Sequence, residues 1–157
     1  MKTSLLVVGK TVDKQLVKLE EEYQNRLRHY LTFSMQVVPE LKATKHLSKG
    51  EQLEREADLL LRQVEPGDEV VLLDEKGRER TSVEFAGFLE QKLLASTRRL
   101  VFVVGGPYGF AERVYQRANG LMSLSRMTFS HQMVRVIFLE QLYRAMTIIR
   151  GEPYHHE

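Results

Sequence analysis

The chain has 157 residues, 43% of them apolar and 28% charged, with a formal net charge of +2 and no cysteine. That length fits one domain spanning residues 1–157 with a real core, and the composition is that of an ordinary soluble protein. Disulfides and thiolate zinc sites are excluded, no run approaches the roughly 18 apolar residues of a membrane-spanning helix, and the opening MKTSLLVVGK lacks the features of a secretory signal. The expectation is a cytoplasmic protein that holds no metal and enters no membrane.

Short apolar runs alternate with longer amphipathic ones. SLLVVG at 4–9 reads as a strand, and 12–30 reads as a helix because Leu16, Leu19, Tyr23, Leu27 and Tyr30 recur at three- and four-residue spacing. FSMQVV at 33–38 is a second strand ended by Pro39, ATKHLSKG at 43–50 a polar loop, and 51–64 a second helix. After the turn Pro66-Gly67-Asp68, EVVLLD at 69–74 is a third strand that ends in the turn-like EKGRE. Ser82 is placed to cap a helix carrying Phe85, Phe88, Leu89 and Leu93 on one face. LVFVVG at 100–105 is the fourth strand, 111–117 a short helix, LMSLS at 121–125 a fifth strand and 132–149 a long last helix opened by Ser130 or His131. Strands alternating with helices predict an α/β fold, with a mostly parallel sheet and helices on both faces.

In such sheets ligands bind beyond the carboxyl ends of strands, here after Leu73, Val104 and Leu124. The loop after Val104 contains Gly105, Gly106 and Gly109, which form neither the G-x-G-x-x-G fingerprint nor a P-loop. It is either simple punctuation or the seat of a ligand without phosphate. SLSRMTFSHQM at 123–133 offers small hydroxyls and apolar side chains, which suit an adenine as well as they suit a plain strand-to-helix connection. The last helix is apolar on nearly every side, so a subunit partner is expected to cover part of it. Arg144 lies in that apolar setting with Glu140 one turn before it as an ion partner.

Charge is unevenly placed. Residues 1–110 hold 17 Lys/Arg and 17 Asp/Glu, whereas 111–150 hold six arginines against Glu112 and Glu140. Guanidinium groups read phosphates bidentately and stack on bases, so this third is either a surface for such a ligand or a solvated helix face. In the ending RGEPYHHE, Tyr154 offers a stacking ring and His155 a group titrating near neutrality, while adjacent histidines diverge and do not predict a metal site. Terminal segments are frayed by default.

VVGGPYGF, then LSLSRMTFSHQMVRVIFLEQLYRA, then RGEPYHHE resemble, in order and spacing, the SPOUT-class RNA methyltransferases of the RlmH type, over essentially the whole chain. The resemblance implies a C-terminal trefoil knot, a homodimer, S-adenosyl-L-methionine as cofactor, and methylation of N3 of a pseudouridine in bacterial 23S rRNA on the assembled 70S ribosome. By position it implies a cofactor shell of Leu73, Gly105, Leu124, Ser125, Arg126, Met127, Thr128 and Phe129, which would explain a glycine loop without phosphate chemistry. Arg144, Tyr154 and His155 would approach the RNA across the dimer, with Arg144 and Tyr154 binding it, and His155 or a water positioned by the tail would accept the N3 proton. The chain has Ser130 where the family often has proline, and His156 where it often has a basic residue. Two other classes share parts of this pattern: a nucleotide-dependent redox enzyme, which needs a dinucleotide glycine motif, and a non-catalytic RNA-binding dimer, which would ignore S-adenosylmethionine.

Overall fold

A computed structural model describes residues 1–156. Its five strands are β1 (Lys2–Val8), β2 (Thr32–Val38), β3 (Glu69–Glu79), β4 (Arg99–Val104) and β5 (Gly120–Ser123), all parallel and ordered β2-β1-β4-β3-β5. Five helices connect and flank them: α1 (Lys14–Leu27), α2 (Lys49–Leu61), α3 (Ser82–Leu94), α4 (Glu112–Arg117) and α5 (Met133–Ile149). The period-2 alternation of side chains sends Leu5, Val7, Val71, Leu100 and Phe102 to one face, where α1, α3 and α5 pack. It sends Leu6, Val70, Leu72, Val101 and Val103 to the other, under α2 and α4. Central strands covered on both faces explain their unbroken apolar character.

Local chemistry sets the boundaries. Asp13 caps α1 by accepting from the Gln15 and Leu16 amides, and Ser48 caps α2 through the Glu51 amide, two residues earlier than the periodicity implies. The expected cap at Ser82 is displaced by one residue. Thr81 forms a reciprocal capping box with Glu84, and the Ser82 hydroxyl bonds Gln141 of α5 instead. Part of the polar loop at 43–50 is a single helical turn, Thr44–His46, entered through Ala43 at φ +56°.

The strongest departure is at β3, which does not end in a turn at EKGRE. Leu73 and Arg78 both pair with Met122 of β5, so 74–77 form an outward excursion that leaves the ladder and returns. Gly77 permits the return, since a Cβ there would lie 2.5 Å from the Met122 amide nitrogen.

α5 lies against the sheet between α1 and α3, which bury much of its apolar surface. The stripe facing away from the core carries Met133, Ile137, Glu140, Gln141 and Arg144, none of them fully buried. Its start is fixed by Arg135, 1% exposed, whose guanidinium donates to the carbonyls of Val8, Gly9 and His131 and to the Thr11 hydroxyl. Thr11 in turn donates to the buried Glu20, whose pKa burial raises. No helix among the described residues is long and apolar enough to cross a membrane.

Candidate functional site

The three strand ends converge as the sequence predicts. Beyond the carboxyl ends of β3, β4 and β5 lies an open cleft of about 410 Å³. One wall is the excursion, with Leu73, Asp74, Glu75 and Lys76; a second is the glycine loop 105–110; the third is the segment 123–129, closed by His131 and Val134 at the start of α5. Seven of the eight expected shell residues line this space: Leu73, Gly105, Leu124, Ser125, Met127, Thr128 and Phe129. Arg126 does not. Its side chain is 88% exposed and points to Glu79 at 3.5 Å, so a guanidinium that burial would penalise stays in water.

The glycine loop is built for close approach. A Cβ on Gly105 would meet the Gly109 carbonyl oxygen at 2.9 Å and the Phe110 ring at 3.0 Å, and Gly109 stands at φ +81°. Gly109 donates its amide to the Gly106 carbonyl, making a tight turn with Tyr108 at its tip. From α2, Glu56 accepts the Gly106 amide at 3.2 Å, and burial raises the pKa of this carboxyl. The turn therefore rests on a charged side chain rather than on packing alone.

Titratable groups that sequence reasoning passed over also face the cleft: Lys49, Asp74, Glu75, Lys76, Tyr115 and His131. Tyr115 donates a short hydrogen bond to Asp74, whose other oxygen accepts the Lys76 amide. Burial, then the Asp74 carboxylate, pushes the Tyr115 phenol above its ordinary range, so it stays protonated and fixes Asp74. In the sequence, Asp74 reads only as the polar end of a strand, and Tyr115 as one face of a short helix.

Arg144, Tyr154 and His155 are brought together, but elsewhere. Glu140 accepts from Arg144 Nε at 3.0 Å and Nη2 at 2.6 Å, and from the Tyr154 hydroxyl at 3.1 Å. Arg144 also donates to His155 Nδ1 at 3.0 Å and lies 4.8 Å from the Tyr154 ring centre. Burial, Tyr23 and the Glu140 charge raise the Tyr154 pKa. Ten residues of α5 separate Val134 at the cleft from Arg144, about 15 Å of helix at 1.5 Å per residue.

The tail through His155 is folded back rather than frayed. Gly151, at φ +70°, turns the chain, Glu152 donates its amide to the Thr147 carbonyl, and the Tyr30 hydroxyl donates to Glu152 at 2.6 Å. That bond to a carboxylate pushes the Tyr30 pKa up to about 12. Tyr143 touches the rings of Tyr23, Tyr30 and Tyr154 and completes the anchorage.

Most arginines of the C-terminal third have partners within the chain. Arg113 bonds Glu54 and Asp58, and Arg117 donates to the carbonyls of Glu65 and Asp68. Arg135 is buried, Arg144 pairs with Glu140, and Arg150 covers the Tyr30 ring. Arg126, with its long pair to Glu79, is the most exposed of the six. Among the described residues no group of three or more His, Asp or Glu is arranged to hold a metal ion.

Comparison with known proteins agrees with this architecture. The family model described as Predicted SPOUT methyltransferase matches residues 1–155. The chain is 55% identical to a protein of Bacteroides thetaiotaomicron, 56% to one of Parabacteroides distasonis and 53% to one of Porphyromonas gingivalis, each over 157 residues and the full length of both chains. All three relatives carry the name Ribosomal RNA large subunit methyltransferase H. With a parallel five-stranded α/β sheet, a cleft at its carboxyl edge and a family match over nearly its whole length, the chain belongs to the SPOUT methyltransferase family.

Proposed function

We propose that this protein transfers a methyl group from S-adenosyl-L-methionine to N3 of a pseudouridine in 23S rRNA, on the assembled 70S ribosome, as a cytoplasmic homodimer. The observation that carries the reading is the cleft, where seven of the eight residues assigned to the cofactor shell meet. The residues present fit the cofactor. Leu73, Val104, Leu124 and Phe129 give apolar cover for an adenosine, Gly105 leaves room for close backbone contact, and Asp74 and Glu75 favour a cationic centre at the lip. When bound, the cofactor supplies an electrophilic methyl group on a sulfonium.

The chain's own residues then have several tasks. The apolar walls would exclude water, and the Tyr115–Asp74 pair holds a carboxylate in a fixed orientation at the cleft, where it would favour a cationic centre. Holding the nucleophilic nitrogen in line is the larger part of catalysis when the donor is already activated. The proton on N3 must leave, and His155 is assigned to receive it, with Arg144 and Tyr154 positioning the nucleotide. Arginine only donates, so Arg144 fixes His155 as the tautomer with its proton on Nε2. Accepting another proton therefore requires Arg144 to withdraw, which a phosphate or base at the cluster would cause.

The 15 Å along α5 explains why a homodimer belongs to the proposal: the cluster of one copy serves the cleft of the other. The half-exposed stripe from Met133 to Arg144, with exposed Val12 and Met127 nearby in the fold, supplies apolar surface for such pairing. The trefoil knot belongs to it as well. Supporting it, the chain after β5 crosses the ends of β3 and β4 before Arg135 ties α5 to the end of β1.

The test is transfer of a radiolabelled methyl group to ribosomes from cells lacking this protein, alongside pseudouridine-free ribosomes and protein-free rRNA. Label on the pseudouridine-containing ribosomes alone is the expected result. Label on none, with cofactor binding intact, would refute the substrate. Unchanged transfer by His155→Ala would remove that residue as proton acceptor.

A further inference from the structure

Beside the arginines of the C-terminal third, most of them paired within the chain, a second cationic surface flanks the cleft. Between Glu40 and Glu51 the sequence is LKATKHLSKG, with three lysines and a histidine and no acidic residue. Leu41, Thr44 and Leu47 are half-buried and anchor this segment, while Lys42, Lys45, His46 and Lys49 are exposed. None of the three lysines enters an ion pair among the described residues. The segment follows β2, so it stands at the same carboxyl edge of the parallel sheet as the cleft.

Two contacts join it to the site. Lys49 lines the cleft, and its ammonium lies 5.2 Å from the ring centre of Tyr108, at the 49%-exposed tip of the glycine loop. About two turns further along α2, Glu56 holds the Gly106 amide. The lysine loop and the glycine loop thus form one lip, basic on its outer side and aromatic at its edge. Unpaired lysines on flexible stems suit a run of phosphates, which need charge at a spacing rather than a fixed fork.

We propose that the loop 41–49, through Lys42, Lys45 and Lys49, grips the phosphate backbone of the RNA substrate beside the cleft. This rests on the reading of the protein as an rRNA methyltransferase and adds where the polyanion lies. Lysines that neutralise phosphates release counterions, so they set how steeply affinity falls with salt.

The experiment compares the full-length protein with the triple variant Lys42→Ala, Lys45→Ala, Lys49→Ala, and with a control, Lys14→Ala with Lys18→Ala on α1, which packs on the opposite face of the sheet. KM for ribosomes, kcat and adenosylmethionine affinity are measured from 50 to 200 mM KCl. With a slope of about 0.7–0.9 per phosphate contact, three contacts make the wild type lose roughly 30-fold more ribosome affinity than the triple variant across that range. The expected result is that flattened salt dependence, the control like wild type, and Lys→Arg at the same three positions restoring the slope, with cofactor affinity unchanged in the double variant Lys42→Ala, Lys45→Ala, which keeps the cleft-lining Lys49. An unchanged KM, or a raised KM with the wild-type slope, overturns the proposal; the second outcome would place a protein surface on the loop. If the wild type methylates no ribosome, the substrate reading fails, and the proposal falls with it.

Discussion

Replacing Arg135 by methionine tests whether this arginine is a buried tie rather than part of a nucleic-acid surface. Its side chain is 1% exposed and satisfies the Val8 and Gly9 carbonyls at 2.8 Å each, with further bonds to Thr11 and His131. Methionine keeps much of the volume but leaves the two strand-end carbonyls unpartnered, at about 1–3 kcal/mol each, and removes the counter-charge from Glu20. The sum, about 4 kcal/mol, agrees with the roughly 3–5 kcal/mol typical of breaking one side of a buried charged pair. For a chain of this size that lowers Tm by about 8–16 °C. Urea and thermal unfolding of the two proteins measure it, and calorimetry with adenosylmethionine reports the accompanying loss at the cleft, because His131 and Val134 lie on the tethered segment. A loss below about 1 kcal/mol, with ribosome binding weakened instead, would refute the reasoning.

Gly105→Ala places a Cβ 2.9 Å from the Gly109 carbonyl oxygen, so adenosylmethionine affinity should fall at least about tenfold while far-UV circular dichroism is unchanged. Glu56 has its pKa raised by burial, so its contribution to stability is complete below its ordinary value of 4.5 and is lost as pH rises through the folded value. Glu56→Gln keeps an acceptor for Gly106, so its urea midpoint should match wild type near pH 4 and exceed it at pH 7.5; equal midpoints at both pH values would contradict the burial argument. Glu140→Gln loosens both Arg144 and Tyr154, and should lower kcat for methyl transfer by roughly tenfold or more without altering cofactor affinity; parallel losses in both would mean that the cluster supports the cleft directly.

The sheet was legible because its signals are local: VVLL and VFVV can only be doubly covered strands, and the glycine run marks where β4 must stop. The cleft followed from topology, since parallel strands bring their carboxyl ends to one edge. What escaped depends on contacts distant in sequence. EKGRE contains turn residues, and only the approach of Met122 shows that Gly77 returns the chain to the ladder. Arg135 and Arg126 look alike in sequence, yet one is enclosed by the end of β1 and the other stays in solvent. The tail reads as frayed because its restraints, Tyr30 and Tyr23, lie more than a hundred residues away. Charge counts likewise drew attention to the arginines, whereas the exposed, unpaired lysines occur in a stretch whose overall balance is neutral.

The excursion in β3 also bears on how a ligand enters. Both of its ends are pinned to Met122, and the chain runs on from Met122 through Ser123 into the opposite wall. Those two walls share one point of attachment to the sheet. The glycine loop is attached at the end of β4 and leads into α4, with the Glu56 carboxylate as its side support. The expected outcome is one-sided opening, in which the loop carrying Tyr108 moves and the wall pinned to Met122 stays with the sheet. Amide exchange should then be fast at Gly106–Gly109 and slow at Leu73 and Met122, and cofactor should quiet the first group far more than the second.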